Sequence, residues 1–318
     1  MGDLLKSLSF YYSKLDFNLN LNFLPLYNMS YTLVLNSSNK VGANNNTFEY
    51  KFIQGSFDAK DMEIAVGALT IPYSWFNVTQ AYNNQTFTLS FPYGAGLTAT
   101  LNITLPAGFY TISDINNYIQ GQCINAGLYL TYLGQNYYFV EIFPNTTYYQ
   151  NQIVFSLVPT TVASGPYAGY SLPPSGFWSG TGLQTTASTP TITFASSGSI
   201  APILGFSPGT YPSVTTASIT VGSNLTPQGS TVNALLLHCN LINNSIAMPS
   251  DILDNIPINS TFGSNITYDP SFEKWVKLRD GKYNSMILTF TDENNNTLYA
   301  NDSNISLSLL IRQKTLIK

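Results

Sequence analysis

Nucleophilic catalysis by a serine or cysteine needs a base held against the nucleophile, and the chain offers a single histidine, His238. Its neighbour Cys239 is the wrong partner. Successive residues of a strand point to opposite faces, so a strand through this segment puts the sheet itself between thiol and imidazole. Cys123 meets His238 only if the fold joins two distant segments; the simpler reading is a packed histidine and two structural thiols. One His and two Cys, with no C-x-x-C spacing, are too few and too scattered for a zinc site.

Carboxylates offer two further arrangements. Asp61 and Glu63, two apart on an expected strand, would share a face as a glycosidase pair might, although charges at a strand edge that oppose unwanted pairing explain them as well. Asp292 and Glu293, followed by Asn294, Asn295 and Asn296, supply oxygen ligands suited to calcium. They lack the Asp/Asn/Gly/Glu register of a calcium loop, and a hairpin turn accounts for them better. Gly94-Ala95-Gly96 and Gly180-Thr181-Gly182 do not lead a strand into a helix, so they read as turns and not as dinucleotide fingerprints. No catalytic residue, cofactor or metal ligand is expected, and the chain does not read as an enzyme.

The elements that must position these residues are mostly strands. Ile305, Leu307, Leu309 and Ile311 alternate with Asn304, Ser306, Ser308 and Arg312, broken only by Leu310. Met286, Leu288 and Phe290 share another strand face, and the Asp292–Asn296 run between the two suggests that they pair antiparallel, directly or through a Greek-key return. Leu235 to Ile242 is apolar on both faces except at His238 and Asn240, which predicts a central strand. Phe48 to Phe52 and Met62 to Ile71 are strands with a turn at Gly55 and Asp58. Phe87–Phe91, Leu97–Leu105, Leu128–Leu133 and Tyr137–Phe143 are shorter ones, and Pro159 to Pro212 reads as ordered long loops with local disorder. One helix stands out. Thr111 or Ser113 caps it, Ile112, Ile115, Ile119, Cys123 and Ala126 recur at helical spacing, and Gly127 stops it. Many strands with a single helix predict a β-sandwich or jelly roll.

Composition says what covers this fold. Only 9% of the 318 residues are Asp, Glu, Lys or Arg, against roughly a quarter in ordinary soluble chains, while 14% are aromatic. The surface is therefore largely Asn, Thr, Ser, Gln and Tyr, which solvates without self-repulsion and favours association. Net charge is −4, and no Lys/Arg run suits specific nucleic-acid binding. Arg312, Lys314 and Lys318 read as a solvated tail and leave room only for a weak internal contact with nucleic acid. Two cysteines make no disulfide framework, so a reducing compartment is expected. No secretory leader, myristoylation pattern or bilayer-spanning run is read, and no membrane insertion is expected. The Asn-x-Ser/Thr sites reflect Asn and Thr richness more than glycosylation.

In order along the chain stand Phe76-Asn77-Val78-Thr79, Tyr82-Asn83-Asn84-Gln85-Thr86-Phe87, and the run Leu105-Pro106-Ala107-Gly108-Phe109-Tyr110-Thr111-Ile112-Ser113-Asp114-Ile115. Later come Ile203-Leu204-Gly205-Phe206-Ser207-Pro208-Gly209-Thr210-Tyr211-Pro212 and Leu237-His238-Cys239-Asn240-Leu241-Ile242. This ordered set, spread over about Phe48 to Ile311, resembles the penton, or minor capsid, proteins of virophages and polinton-like viruses. The resemblance implies an all-β fold: a single jelly roll carrying an inserted β-rich domain with one short helix. On that plan residues 1–30 form an N-terminal arm, 31–80 and 227–318 the jelly roll, and 81–226 the insertion. It further implies a homopentamer at the five-fold vertex of an icosahedral capsid, contacting the major capsid protein in a virion made in the host cytoplasm, with no cofactor.

Interfaces need rigid aromatic anchors. Tyr73, Trp75, Phe76, Trp178 and Trp275 are candidates, with core packing the alternative for each. The arm adds Phe10, Tyr11, Phe17 and Phe23, and its apolar content predicts that it packs beneath a neighbouring subunit. A lectin-like or receptor-attachment module is the rival reading, since it shares the fold, the Tyr/Asn richness and the lack of catalytic groups.

Overall fold

The structure is a computed structural model that describes residues 30–180 and 182–314. It is built on two facing antiparallel sheets. In the first, Ser30–Asn36 lies beside Ser306–Gln313, which lies beside Met62–Pro72, and that strand also pairs with Asn265–Tyr268 and Val276–Lys277. In the second, the order is Ile252–Pro257, Ala234–Cys239, Ser285–Asp292, Thr47–Lys51. Counting the interrupted Asn265–Lys277 segment once, the first strand pairs the eighth, the second the seventh, the third the sixth and the fourth the fifth. This wrapped pairing is a jelly roll.

Alternation explains which faces close on each other. Leu307, Leu309 and Ile311 from one sheet and Leu235, Leu237, Met286, Leu288 and Phe290 from the other are buried in one apolar core. Leu310, the residue out of phase, lies on the outer face over Gly67, where an added Cβ would meet its Cγ at 3.1 Å. A register shift between Ser308 and Leu309 creates this fit. The strand through Leu235 is central, as its two apolar faces require. The expected pairing of Ser285–Asp292 with Ser306–Gln313 does not occur. The two strands stand in opposite sheets, because the link from Glu293 to Ile305 crosses the sandwich and lets both bury the same inward face.

Between the third and fourth strands of the jelly roll the chain builds a second core, from Val78 to Phe206. Its main sheet has Asn84–Tyr93 flanked by Leu97–Thr104 and Thr191–Phe194, and Gly209–Tyr211 lies beyond the latter. Gly94 and Gly96, both with positive φ, turn the chain between the first two of these strands. A second sheet orders Ile219–Gly222, Gln150–Phe155 and Val140–Asn145. The helix Ile112–Ala126 buries Ile115, Ile119 and Cys123. Thr111 accepts from the Asp114 amide while Asp114 accepts from the Thr111 amide, and Gly127 ends the helix at φ 63°.

The Pro159 to Pro212 stretch is more regular than loops alone. It contributes the strands Thr191–Phe194 and Gly209–Tyr211 and the helical turn Phe177–Gly180, and it buries Trp178, Ile192 and Phe194. Gly127 and Gly176 allow a close backbone approach here: a Cβ on Gly127 would stand 2.1 Å from the Ser175 carbonyl oxygen, and one on Gly176 2.3 Å from that of Ala126. Trp178 then donates its amide to the Gly127 carbonyl and its indole N–H to that of Pro92, at 3.3 and 3.2 Å.

One buried amide ties the two cores together. Asn77, 1% exposed, donates to the carbonyls of Tyr110 and Gly229 and accepts from the Tyr110 amide, at 2.8 to 2.9 Å. It joins the outgoing chain to the returning one, which satisfies its side chain away from water.

Candidate functional site

The catalytic candidates are placed apart or already occupied. Cys239 packs into the jelly-roll core and Cys123 into the other, and burial pushes both thiols up to about 12, far from a thiolate at neutral pH. Neither thiol reaches His238. The imidazole instead joins two groups remote in sequence: Nδ1 lies 3.1 Å from Asp251 Oδ1 and Nε2 2.9 Å from Thr291 Oγ1. A hydroxyl, an imidazole and a carboxylate in line have the order of a hydrolase triad. Thr291 sits within a paired strand, however, and His238 is only 8% exposed, so a substrate carbonyl has no approach. The arrangement is a clamp that holds the Asp251 loop to the sheet. It had no local sequence signal, since its members stand 13 and 53 residues apart.

The glycosidase pair is not formed. Asp61 lies in a turn at φ 54°, before the strand begins, so it does not share a strand face with Glu63. Glu63 is paired with Arg312 at 3.2 Å. The Asp292 run is a turn. Asp292 Oδ1 accepts from the amides of Asn294 and Asn296 and Oδ2 from the Asn296 side chain, at 2.7 to 2.9 Å. Glu293 is bonded to the amide and side chain of Asn233 at 3.0 and 2.7 Å. Burial works against its charge, but hydrogen bonds from its own amide and from Asn233 and Ala234 outweigh this and hold the carboxyl below the usual range. No group of three or more potential metal ligands occurs among the described residues.

The aromatic candidates divide by burial. Tyr73, Trp75 and Trp178 are buried within the chain's own cores, which leaves their rings no surface for a neighbour and corrects their reading as anchors. Phe76 is half-buried against Phe262. Trp275 is half-buried beneath the Arg312 guanidinium, 3.9 Å from the ring centre. Arg312 is thereby held by a ring and a carboxylate, which corrects its reading as part of a free basic tail; Lys314 is exposed and Lys318 lies outside the described residues. Phe10, Tyr11, Phe17 and Phe23 lie outside them too.

Exposed apolar groups were not legible as a set. Ile53 and Ile246 are each 94% exposed, Met248 93% and Phe272 69%. Ile53, Ile246 and Met248 stand on two loops at one end of the jelly roll, where Phe52 donates its amide to Asn284, Ala59 to Gly281, and Arg279 to Leu241, at 2.8 to 2.9 Å. Phe272 instead lies in the interruption between Asn265–Tyr268 and Val276–Lys277, alongside the middle of the third strand. At the opposite end the insertion departs, where Gly263 donates to Tyr73 and Asn45 to Ala300, both at 2.9 Å. Among the described residues, the subunit thus has one end covered by its own second core and exposed apolar tips at the other, a distribution typical of interaction surfaces.

No protein-family model matches the chain, and no curated protein does. Among solved structures it is similar to the mavirus penton protein, seen in a crystal structure of the selenomethionine-labelled form. That similarity is 10% in identity, covers 89% of this chain and 99% of that one, and has a TM-score of 0.42. It is also similar to a chain in the cryo-EM structure of the Sputnik virophage, at 12% identity over 92% of this chain and 99% of that one, with a TM-score of 0.38.

No helix among the described residues is long and apolar enough to cross a membrane.

Proposed function

We propose that this chain is a structural capsid subunit that closes into a ring of five at the five-fold vertices of an icosahedral shell and abuts the major capsid protein. The observation that carries this reading is the two-ended jelly roll, covered at one end by the insertion and, among the described residues, exposing Ile53, Ile246 and Met248 at the other. A ring needs a heterologous interface in which two different surfaces of one subunit meet, and a subunit with unlike ends and flanks supplies them. The resemblance of the ordered segments from Phe76 to Ile242 to virophage pentons supports the same reading. So does a surface poor in formal charge, which desolvates at little cost.

In this reading the sandwich flanks form the ring and the apolar tips bear on the shell. Native mass spectrometry of the purified chain is expected to show a pentamer. Ile246→Asp with Met248→Asp should leave the ring and the fold intact while abolishing incorporation into particles. Normal incorporation of that double variant would remove the apolar end from the account.

A further inference from the structure

A cleft of about 1200 Å³ opens between the two cores and has no role in the assembly argued above. One wall belongs to the insertion, with Tyr82 and Ser197, and the other to the jelly roll, with Glu293, Asn294 and Tyr299, while Gln228 of the returning segment lies between them. Sites between domains of this kind commonly take ligands, and the volume exceeds the ~300–1,000 Å³ usual for one small molecule.

The lining has a definite chemistry. Asp292 and Glu293 are its only formally charged residues, and no Lys, Arg or His faces the space. Asp292 is consumed by its own turn, and Glu293 accepts from Asn233 and from its own amide and that of Ala234 while remaining half-exposed to the cleft. The side chains of Ser197, Gln228 and Asn294 are exposed and make no hydrogen bond among the described residues. Tyr299 is 43% exposed, and Tyr82 props its ring edge to face at 6.2 Å. The space therefore combines free hydroxyl and amide groups, one carboxylate and a fixed aromatic face.

We propose that this cleft binds a neutral oligosaccharide. The C–H face of a sugar ring packs on an aromatic ring while its hydroxyls exchange hydrogen bonds with amides, hydroxyls and a carboxylate, and each of these groups is present. Several linked sugars fill the length that one would not. Anionic ligands such as phosphates, sulfated or sialylated glycans meet a negative wall with no cation to offset it. An extended peptide finds bends at Ser196 and Ser197, a turn at 293–295, and only the two-residue edge strand Gly198–Ser199 to extend. The inference is independent of the vertex reading.

The test is an array of neutral, sialylated and sulfated oligosaccharides probed with the full chain, followed by titration of those retained against Tyr299→Ala and Ser197→Arg. The expected result is retention of neutral glycans, with affinity reduced at least tenfold in each variant and the thermal unfolding midpoint unchanged. Retention of acidic glycans alone, retention of none, or neutral binding that both variants leave intact would each overturn the assignment.

Discussion

The Arg312 guanidinium lies 3.9 Å from the centre of the Trp275 ring and 3.2 Å from the Glu63 carboxylate, so one cation joins the eighth strand, the third strand and the interrupted sixth, Asn265–Lys277. A planar group can stack and bond sideways at once, which an ammonium cannot. Arg312→Ala is expected to cost about 1–2 kcal/mol in urea unfolding, and Arg312→Lys to recover less than half of that. Full recovery by lysine would mean that charge alone matters there.

Gly127 and Gly121 form a matched pair on one helix. Gly127→Ala places a Cβ against the Ser175 carbonyl at a φ of 63° and should cost at least about 2 kcal/mol. Gly121, inside the helix, has open space where its Cβ would stand, so Gly121→Ala should stabilise by about 0.5–1 kcal/mol. Denaturant melts that rank the two variants in the reverse order would contradict the packing described.

Asn77 is satisfied on both side-chain atoms at the junction of the cores. Asn77→Ala leaves the Tyr110 amide and two carbonyls without their partner and should cost about 2–4 kcal/mol. The junction should loosen first, seen as faster hydrogen exchange at Tyr110. Unchanged exchange there would remove the clamp.

Both thiols ionise in the folded chain only near about 12, against an ordinary value of 9.0. The unfolded chain therefore releases these protons earlier, and stability present below pH 9 is lost as pH rises towards 12. Cys123→Ser with Cys239→Ser should flatten that alkaline slope, since a hydroxyl does not titrate there. Neither native thiol should react with a disulfide reagent at pH 8, whereas both should in urea. Rapid labelling of the native chain would show that one of them is open to solvent.

How far the sequence reached depended on the range of the interaction. Alternation at Leu307, Leu309 and Ile311 and helical spacing from Ile112 to Gly127 are local, and each predicted its element. The partner strand of Ser306–Gln313 was not legible, because the same inward face is buried whether the preceding strand lies beside it or opposite it. Thr191–Phe194 was hidden by its Ser- and Thr-rich surroundings. Trp75 and Trp178 have the composition of interface anchors, and only the fold shows that their own cores surround them. The His238 clamp and the cleft between Tyr82 and Tyr299 join residues dozens to hundreds of positions apart, so no local pattern announces them.

The central claim is most directly tested by cryo-EM of particles containing this chain, with the map inspected at the five-fold axes. The account predicts five copies of a jelly roll with its inserted domain closing each vertex, the ends bearing Ile53, Ile246 and Met248 turned toward the shell. Particles that lack the chain, or that carry it anywhere other than the vertices, would contradict it.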